Sequence, residues 1–290
     1  MGNQEEIKKI IKAIQSLPTL PTVAVKVNSI IKSPTAGAAE LAQVIEYDQS
    51  ISAKVLSLVN SAYYGLSRKI NNIKEAVTYL GTNAISQLVL ALGVIKAFER
   101  TSNKRFDRGK FWTHSIAVAI LSREIAKTEK KHKHPDDIFT AGLLHDIGKV
   151  ALDSFCSETF IPVLDELEKE EIPFYKAEQK ILGVDHTRVG EWVARSWELP
   201  LLTIVAIRHH HEAPATRKGF SLSQDSAVDI VQVSDWLAIT HQLGFSGSNA
   251  VEEPPQEVFD RIPITKEKAQ EIVDRTKAEI EKAASQLGIE

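Results

Sequence analysis

The sequence has few features that would stabilise the chain covalently or hold it in a membrane. Cys156 is the single cysteine among 290 residues, so no disulfide can form within the chain, as expected for a cytoplasmic protein. The first residues lack the basic and then apolar segments of a signal peptide, and we expect none. The longest apolar run, residues 85–97, is broken by Gln87, Gly93 and Lys96, and is therefore predicted to be a buried core helix and not a membrane span.

The chain also has little excess charge of either sign. Asp and Glu together number 38 and Lys and Arg 35, which gives a formal net charge of −3. Such a balance produces no extended basic field, so the sequence indicates neither a nucleic acid nor a membrane as a direct partner. Hydrophobic residues make up 43% of the chain, enough for one large domain or two lobes that share a core.

Strand patterns are scarce, whereas helical spacing recurs along the whole chain. No segment alternates apolar and polar residues over six or more positions between turn signals. Apolar residues instead return every three or four positions, as in Ile7, Ile10, Ile11 and Ile14. The sequence therefore predicts an all-α protein with two helical lobes. The predicted N-terminal lobe covers residues 1–100, the second lobe residues 110–245, and a C-terminal helical strut residues 256–290.

Several residues mark where the predicted helices begin and end. Asp48 precedes an apolar periodic segment and is predicted to be its N-cap. Gly81 is predicted to end one helix immediately before the next begins. Long helices are predicted over residues 110–127 and 136–145 of the second lobe, and residues 245–255, which are rich in Gly, Ser and Pro, are predicted to be a linker.

The strongest local motif is Ala-Gly-Leu-Leu-His-Asp-Ile-Gly-Lys at residues 141–149. An adjacent pair such as His145 and Asp146 at a helix end projects two ligands in different directions, and the carboxylate can bridge two cations. Lys149 lies about one turn further on, where its side chain could reach Asp146 or a substrate phosphate. The chain has no GxSxG elbow, Gly-rich phosphate loop, CxxC or HExxH motif that would indicate a different chemistry.

Other histidines and acids in the second lobe are further candidate ligands for an ion bound by His145 and Asp146. His114 shares the apolar face of its predicted helix, where a lone histidine is more often a hydrogen-bonded core residue than a ligand. Asp235 lies within an apolar run, where a carboxylate is costly unless it is paired or metal-bound. Imidazole with carboxylate suits Fe, Mn or Zn, and two such ions support phosphoester chemistry. The candidate ligands are His114, His145, Asp146, His186, His210, His211 and Asp235.

These residues resemble the signature of a known superfamily. His114, followed by the His145-Asp146 pair and by Asp235, is similar to the H…HD…D pattern of HD-domain metal phosphohydrolases. The resemblance implies that the second lobe is an HD-domain-like helical bundle that carries a metal site. We expect two divalent ions, Fe or Mn, with Zn, Mg and Ca as further candidates.

A second set of histidines is similar to the HD-GYP branch of that superfamily, in which they help to bind a second ion. His186 and the pair His210-His211 carry this likeness. The chain departs from the branch after Glu212, where no Asp-Gly-x-Gly-Tyr-Pro motif follows, and this argues against cyclic-di-GMP hydrolysis. Lys110 stands where the trinuclear type has a Glu, so we predict two ions and not three.

The N-terminal lobe narrows the resemblance to the HDOD domain, a bacterial signalling output domain. Its motifs are Leu-Pro-Thr-Leu-Pro at residues 17–21 and Asn-Ser-Ala-Tyr-Tyr-Gly at residues 60–65, and the likeness extends over about residues 10–240. Many HDOD domains have lost metal ligands, but this chain keeps an apparently full set. The resemblance implies a signalling protein as a partner, and a nucleotide as a candidate ligand.

Three hypotheses follow for the function. The chain could be a signalling output module that binds metal, a metal-dependent phosphohydrolase acting on a nucleotide or cyclic dinucleotide, or an interaction domain whose histidines only form hydrogen bonds. For the enzyme we expect Asp146 and Lys149 to be catalytic, with Lys149 stabilising developing charge on phosphate. Arg217 and Lys218 would also suit a phosphate, or else are solvated loop residues. The expected ion ligands are His114, His145 and Asp235 for one ion, and His186, His210 and His211 for the other, with Asp146 bridging.

Overall fold

The computed structural model describes residues 2–33, 37–61, 64, 66, 68–99, 105–128, 135–262 and 264–286, and within these ranges every regular element is a helix. The predicted all-α fold is therefore confirmed. The helices are α1 (Gly2–Gln15), α2 (Thr22–Lys32), α3 (Ala38–Glu46), α4 (Gln49–Val59), α5 (Ile73–Ala97), α6 (Arg108–Thr128), α7 (Pro135–Leu144), α8 (Ile147–Phe155), α9 (Ser157–Lys169), α10 (Phe174–Leu182), α11 (His186–Ser196), α12 (Leu201–His209), α13 (Leu222–Thr240), α14 (Gln256–Arg261) and α15 (Lys266–Gln286).

Contacts divide the chain into two compact units. The small unit contains Pro18–Glu99 and Ala278–Glu290, and the large unit contains Met1–Leu17 and Arg100–Lys277. Helix α1 therefore belongs to the large unit, although residues 1–100 are predicted as one N-terminal lobe. It packs on α8, α10 and α11 of that unit, and Glu6 accepts a hydrogen bond of 2.9 Å from Thr159 Oγ1. The predicted strut at residues 256–290 contains α14 and α15, and the division between the units falls within α15.

The small unit is built around α5, which packs against α2, α3 and α4. Gly93 allows α2 to approach closely, since a Cβ at this position would lie 2.4 Å from the Cβ of Ala24. Asp48 caps α4 as predicted, because its side chain accepts a hydrogen bond from Ile51 N. Gly81 has φ +88° and interrupts the helical conformation within α5, at the break that the sequence predicts. In the HDOD-like motif at residues 60–65, Ala62, Tyr63 and Gly65 lie outside the described residues.

Helix α5 is the one helix of the described residues that is long and apolar enough to cross a membrane by length and composition alone. Two thirds of its apolar window, 67%, is nevertheless buried inside the protein. Residues 84–95 are buried without interruption. This burial is what the sequence predicts for residues 85–97, and it is typical of a core helix.

The large unit packs α6, α7, α12 and α13 together, and α11 connects α12 with α8. Two glycines allow its helices to approach closely. A Cβ at Gly142 in α7 would lie 2.9 Å from Ser122 Oγ of α6, and a Cβ at Gly148 in α8 would lie 2.0 Å from the backbone oxygen of His186 in α11. Helix α8 is not among the helices predicted from the sequence. It follows α7 after only His145 and Asp146, which leaves these two residues at a tightly packed junction.

We expect Gly148→Ser to destabilise the large unit, because no side chain fits between α8 and the start of α11. Overpacking of this kind costs roughly 1–3 kcal/mol. Urea denaturation followed by circular dichroism in the presence of a chelator would measure the change. Gly37→Ser is the matched control, since an added Cβ at Gly37 meets nothing within 4 Å and serine is a favourable residue at this helix N-cap. Equal midpoints for the two variants would contradict the packing argument.

Candidate metal centre

All seven candidate ligands come together in the large unit. His114 projects from the middle of α6, and Asp235 from the buried side of α13. The pair His145 and Asp146 forms the junction between α7 and α8, while His186 is the first residue of α11. His210 and His211 follow the last residue of α12. Of these side chains His211 is half-buried and the others are buried.

The first group contains His114, His145, Asp146 and Asp235, whose ligand atoms all lie within 4.8 Å of one another. His114 Nε2 lies 3.0 Å from Asp235 Oδ1. His145 Nε2 lies 3.4 Å from Asp235 Oδ1 and also 3.4 Å from Asp146 Oδ2. Two imidazoles and two carboxylates thus face a common point from three sides of the helical bundle.

The second group contains Asp146, His186, His210 and His211, again with ligand atoms within 4.8 Å of one another. Asp146 Oδ1 lies 3.0 Å from His186 Nε2 and 3.7 Å from His210 Nε2. His211 Nε2 lies 3.2 Å from His186 Nε2. Asp146 therefore faces the first group with Oδ2 and the second group with Oδ1, which is the arrangement that a bridging carboxylate requires.

The buried ligand atoms lack the hydrogen bonds that such atoms normally form. Within the described part of the chain, Nε2 of His114, His145 and His210 and Oδ1 of Asp146 and Asp235 have no partner of acceptable hydrogen-bond geometry. Buried polar atoms are rarely left in this state, because desolvation without a compensating partner is costly. Imidazole nitrogen and carboxylate oxygen are ligands that first-row divalent ions accept, so the donor set fits metal ions.

Hydrogen bonds at Nδ1 orient three of these imidazoles. The Nδ1 atom of His145 donates to Gly142 O at 2.7 Å, and the Nδ1 atom of His210 donates to Ile207 O at 2.9 Å. Nδ1 of His186 lies 2.5 Å from Glu178 Oε2, which also accepts from the His186 backbone N–H at 2.8 Å. Such bonds fix the tautomer and direct Nε2 towards a metal, as outer-shell partners commonly do.

Glu178 is not among the site residues predicted from the sequence. It lies in α10 on the same buried face as Phe174, Ala177 and Leu182. A carboxylate on an apolar helical face is the signal that singled out Asp235, and the same reasoning applied to α10 would have found Glu178.

The electrostatics of the cluster favour bound cations. Burial opposes protonation of His145, yet Asp146 and Asp235 outweigh it and raise the pKa of His145 to about 10. Burial likewise opposes protonation of His186, but Glu178 and Asp146 raise its pKa to about 9. Burial alone would raise the pKa values of both carboxyl groups. Lys149, His145 and His186 nevertheless hold the pKa of Asp146 well below its usual range, and His114 and His145 do the same for the pKa of Asp235. Both carboxylates thus stay ionised and attract positive charge.

Lys149 lies where the sequence predicts it, beside Asp146. Its Nζ atom is 2.6 Å from Asp146 Oδ2, and the side chain is almost fully buried. The same ammonium group lies 4.7 Å from the ring centroid of Phe174. Lys149 also lines a cleft that opens next to the cluster, together with His211 and Asp235. The cleft therefore borders the candidate metal centre at His211 and Asp235.

The HDOD domain family matches residues 17–213 of this chain. The chain belongs to the HDOD domain family. A relative from Treponema pallidum (strain Nichols), known as an uncharacterized protein, is 26% identical to this HDOD protein over 201 residues. The aligned part covers 69% of this chain but 39% of that relative, so the chain spans well under half the length of the relative it matches.

Solved structures share the fold. The crystal structure of an HDOD domain protein with unknown function from Geobacter sulfurreducens has a TM-score of 0.79 and 25% identity, and the match covers 98% of this chain and 97% of that one. A "Putative signal transduction protein" from Marinobacter aquaeolei VT8 has a TM-score of 0.79 at 21% identity, over 99% of this chain and 67% of that one. A "Putative phosphohydrolase" from Shewanella amazonensis SB2B has a TM-score of 0.76 at 20% identity, over 96% and 98% of the two chains.

Other candidate residues of the HDOD protein lie away from the two groups. Arg217 is not a solvated loop residue, because it is buried and its charge is paired within the protein. Its buried guanidinium lies 2.8 Å from Asp229 Oδ1, and its Nε donates to Glu212 O at 3.1 Å. Arg217 thus ties the segment after His211 to α13. His209 contacts Glu212 at 2.7 Å, and the exposed Lys110 lies 3.6 Å from Asp107, so neither joins the cluster.

We expect Glu178→Gln to weaken binding of the ion at the second group, because His186 loses the charged acceptor that orients its ring. Loss of an outer-shell partner typically reduces metal affinity by about 10–100-fold. Competition with a chelator, followed by elemental analysis, would measure the affinity. Glu170→Gln makes the same chemical change at an exposed residue that pairs with Lys180, and this control should leave the metal affinity unchanged. Equal affinities for the Glu178→Gln variant and the unmodified protein would show that Glu178 does not support the site.

Proposed function

We propose that this HDOD protein is a bacterial signalling output module whose large unit binds two divalent ions, with Asp146 bridging them. The observation that carries the proposal is the division of the candidate ligands into two groups that share Asp146. One group faces Oδ2 of this carboxylate and the other faces Oδ1. Five imidazoles and two carboxylates favour Fe or Mn, with Zn, Mg and Ca as further candidates. His114, His145 and Asp235 would hold one ion, and His186, His210 and His211 the other.

The signalling role is supported by the family and by the neighbouring structures. The HDOD match covers most of the chain, and one structure of the same fold is named as a signal transduction protein. We propose a signalling protein as the partner and a phosphate-bearing molecule, such as a nucleotide, as the ligand of the metal centre. The single cysteine suits the reducing bacterial cytoplasm in which such a module would act.

Metal content tests the bridging role of Asp146. Protein purified without a chelator and reconstituted with Mn²⁺ or Fe²⁺ should contain about two equivalents, and Asp146→Ala should lose both, because each group loses a ligand. Elemental analysis by plasma emission provides the measurement. His209→Ala is the matched control, since His209 belongs to neither group and its loss should leave the content unchanged. Full metal content in the Asp146→Ala variant would overturn the assignment.

A second candidate function is metal-dependent hydrolysis of a phosphoester, and the position of Lys149 favours it. Bound ions would supply Lewis-acid activation of a phosphoryl group. Lys149 Nζ lies beside Asp146 and lines the cleft, so its charge is available to a phosphate that enters from the cleft. The ring of Phe174 lies against this ammonium group, with its centroid 4.7 Å from Nζ, and the burial of the lysine strengthens its electrostatic effect.

Hydrolysis of p-nitrophenyl phosphate and bis(p-nitrophenyl) phosphate by the Mn²⁺-loaded protein would decide between the two candidates. If the protein is an enzyme, Lys149→Met should retain both ions but lower kcat by about 100-fold. The variant lacks the preorganised positive charge that stabilises negative charge developing on the phosphoryl oxygens. Lys110→Met removes an exposed lysine and should have no effect. Turnover by the unmodified protein no faster than by Asp146→Ala would reject the hydrolase and leave the metal-binding signalling module.

A further inference from the structure

We propose that Tyr175 of α10 is a positioning residue for the ion of the second group, because its ring holds the imidazole of His211. Residues 246–253, the rim segment, control this ion in turn, because Glu252 of the segment holds the hydroxyl group of Tyr175. The inference rests on the proposed two-ion function and adds how one of the two ions is regulated. Tyr175, His211 and Glu252 all line the cleft, which lies within the large unit.

His211 differs from the other imidazoles of the second group in how its ring is oriented. His186 and His210 each form a hydrogen bond at Nδ1, with Glu178 and with the backbone oxygen of Ile207. In the part of the chain that the structure describes, His211 forms no hydrogen bond at Nδ1, and its contact at Nε2 is with His186. It also lies beyond the last residue of α12, so no helix fixes its backbone. Its ring therefore needs a different contact to direct Nε2 towards an ion.

The ring of Tyr175 supplies this contact. It stacks on the imidazole of His211, with centroids 4.7 Å apart and an interplanar angle of 23°. The rings of His186 and His210 also contact His211, but both are candidate ligands of the same ion. Among the described residues, Tyr175 is thus the one ring outside the ligand set that holds His211. Stacking of aromatic rings favours one relative orientation, which makes Tyr175 suited to fix this ligand.

Helix α10 faces the second group with two side chains. Tyr175 and Glu178 are three residues apart, so they lie on the same face of the helix, one turn from each other. Glu178 orients His186, and Tyr175 orients His211. Among the described contacts, neither side chain touches a ligand that belongs to the first group alone. A change at Tyr175 should therefore weaken the ion of the second group and leave the other ion in place.

The rim segment is docked on the start of α10. The Tyr175 hydroxyl donates a hydrogen bond of 2.5 Å to Glu252, which also contacts Lys176. A hydrogen bond to a charged carboxylate is stronger than one between neutral groups. The backbone of the segment approaches α10 as well, since a Cβ at Gly247 would lie 2.3 Å from the ring of Phe174. The segment thus fixes the hydroxyl end of the ring whose face contacts His211.

Titration of the metal-free protein with Mn²⁺, followed by electron paramagnetic resonance, tests the inference without relying on turnover. A single bound Mn²⁺ gives the spectrum of an isolated ion, whereas two ions bridged by Asp146 give an exchange-coupled spectrum. We expect Tyr175→Leu to weaken the ion of the second group by about 10-fold, as for loss of an outer-shell partner, and to leave the other ion unchanged. Tyr47→Leu, at a tyrosine that is 78% exposed in the small unit, is the control and should change neither affinity.

Two neighbouring glutamates test the role of the rim segment. Glu252→Ala changes an exposed residue, so folding is not in question, and should weaken the ion of the second group by about 3-fold, within the range for loss of one hydrogen bond. Glu253→Ala is the matched control, because Glu253 is equally exposed and contacts Lys266 and not Tyr175. This control should bind both ions as the unmodified protein does.

A double-mutant cycle separates positioning from simple attraction between charges. Tyr175→Phe keeps the stacked ring and removes the hydroxyl, so it should weaken the ion of the second group as much as Glu252→Ala does. Glu252→Ala should then have no further effect in the Tyr175→Phe protein, because the contact between the two residues is already lost. A glutamate that acted only through its negative charge would weaken the ion equally in both proteins, and that result would overturn the role of the rim segment.

The outcomes also separate this inference from the proposed function. If Tyr175→Leu bound both ions as tightly as the unmodified protein, or lost both ions equally, Tyr175 would not position the second group, while the two-ion centre still stood. Failure of the unmodified protein to give an exchange-coupled spectrum at saturating Mn²⁺ would overturn the proposed function itself.

Discussion

The geometry of the large unit depends on one carboxylate. Asp146 presents one oxygen to His114 and His145 and the other to His186 and His210, so four imidazoles from four parts of the chain converge on a single side chain. A buried carboxylate is unfavourable unless charge compensates for its desolvation, and here every neighbour either carries positive charge or can bind a cation. Because both groups share Asp146, a displacement of this side chain would disturb both groups at once.

The helices achieve this precision through close backbone contact. Gly142 lies against α6 and Gly148 against the start of α11, on either side of the junction that holds His145 and Asp146. Neither position has room for a side chain, so the junction is fixed by the contact of backbones and not by adaptable side chains. Further along the chain, the buried Arg217 and Asp229 tie the segment after His211 to α13, and the half-buried Arg261 of α14 pairs with the same Asp229.

The all-α fold could be predicted from the sequence, because helical spacing recurs along the chain. The seven clustered side chains could also be predicted, since polar residues at inward or apolar positions are conspicuous among regular amphipathic helices. Glu178 carries the same signal as Asp235, a carboxylate on a buried helical face, but it belongs to none of the motifs and was therefore not predicted. Arg217 was assigned to a solvated loop or a phosphate contact, since burial of a loop arginine depends on Asp229 and Arg261, which are distant in sequence. The packing of α1 on the large unit could not be predicted either. The pattern of an amphipathic helix shows which of its faces is buried, but not which surface that face packs against.

The stacking of Tyr175 on His211 joins two parts of the protein that would otherwise be independent. One face of the tyrosine ring supports a ligand of the second group, and its hydroxyl is held by Glu252 at the mouth of the cleft. Any molecule that moves this ring must alter the orientation of His211, and linkage then requires that an ion held by His211 alter the affinity for that molecule by the same factor. Under the proposed function, an ion at His211 and an occupant of the cleft would therefore be thermodynamically coupled through Tyr175, and such coupling is what a protein needs in order to report one binding event through another.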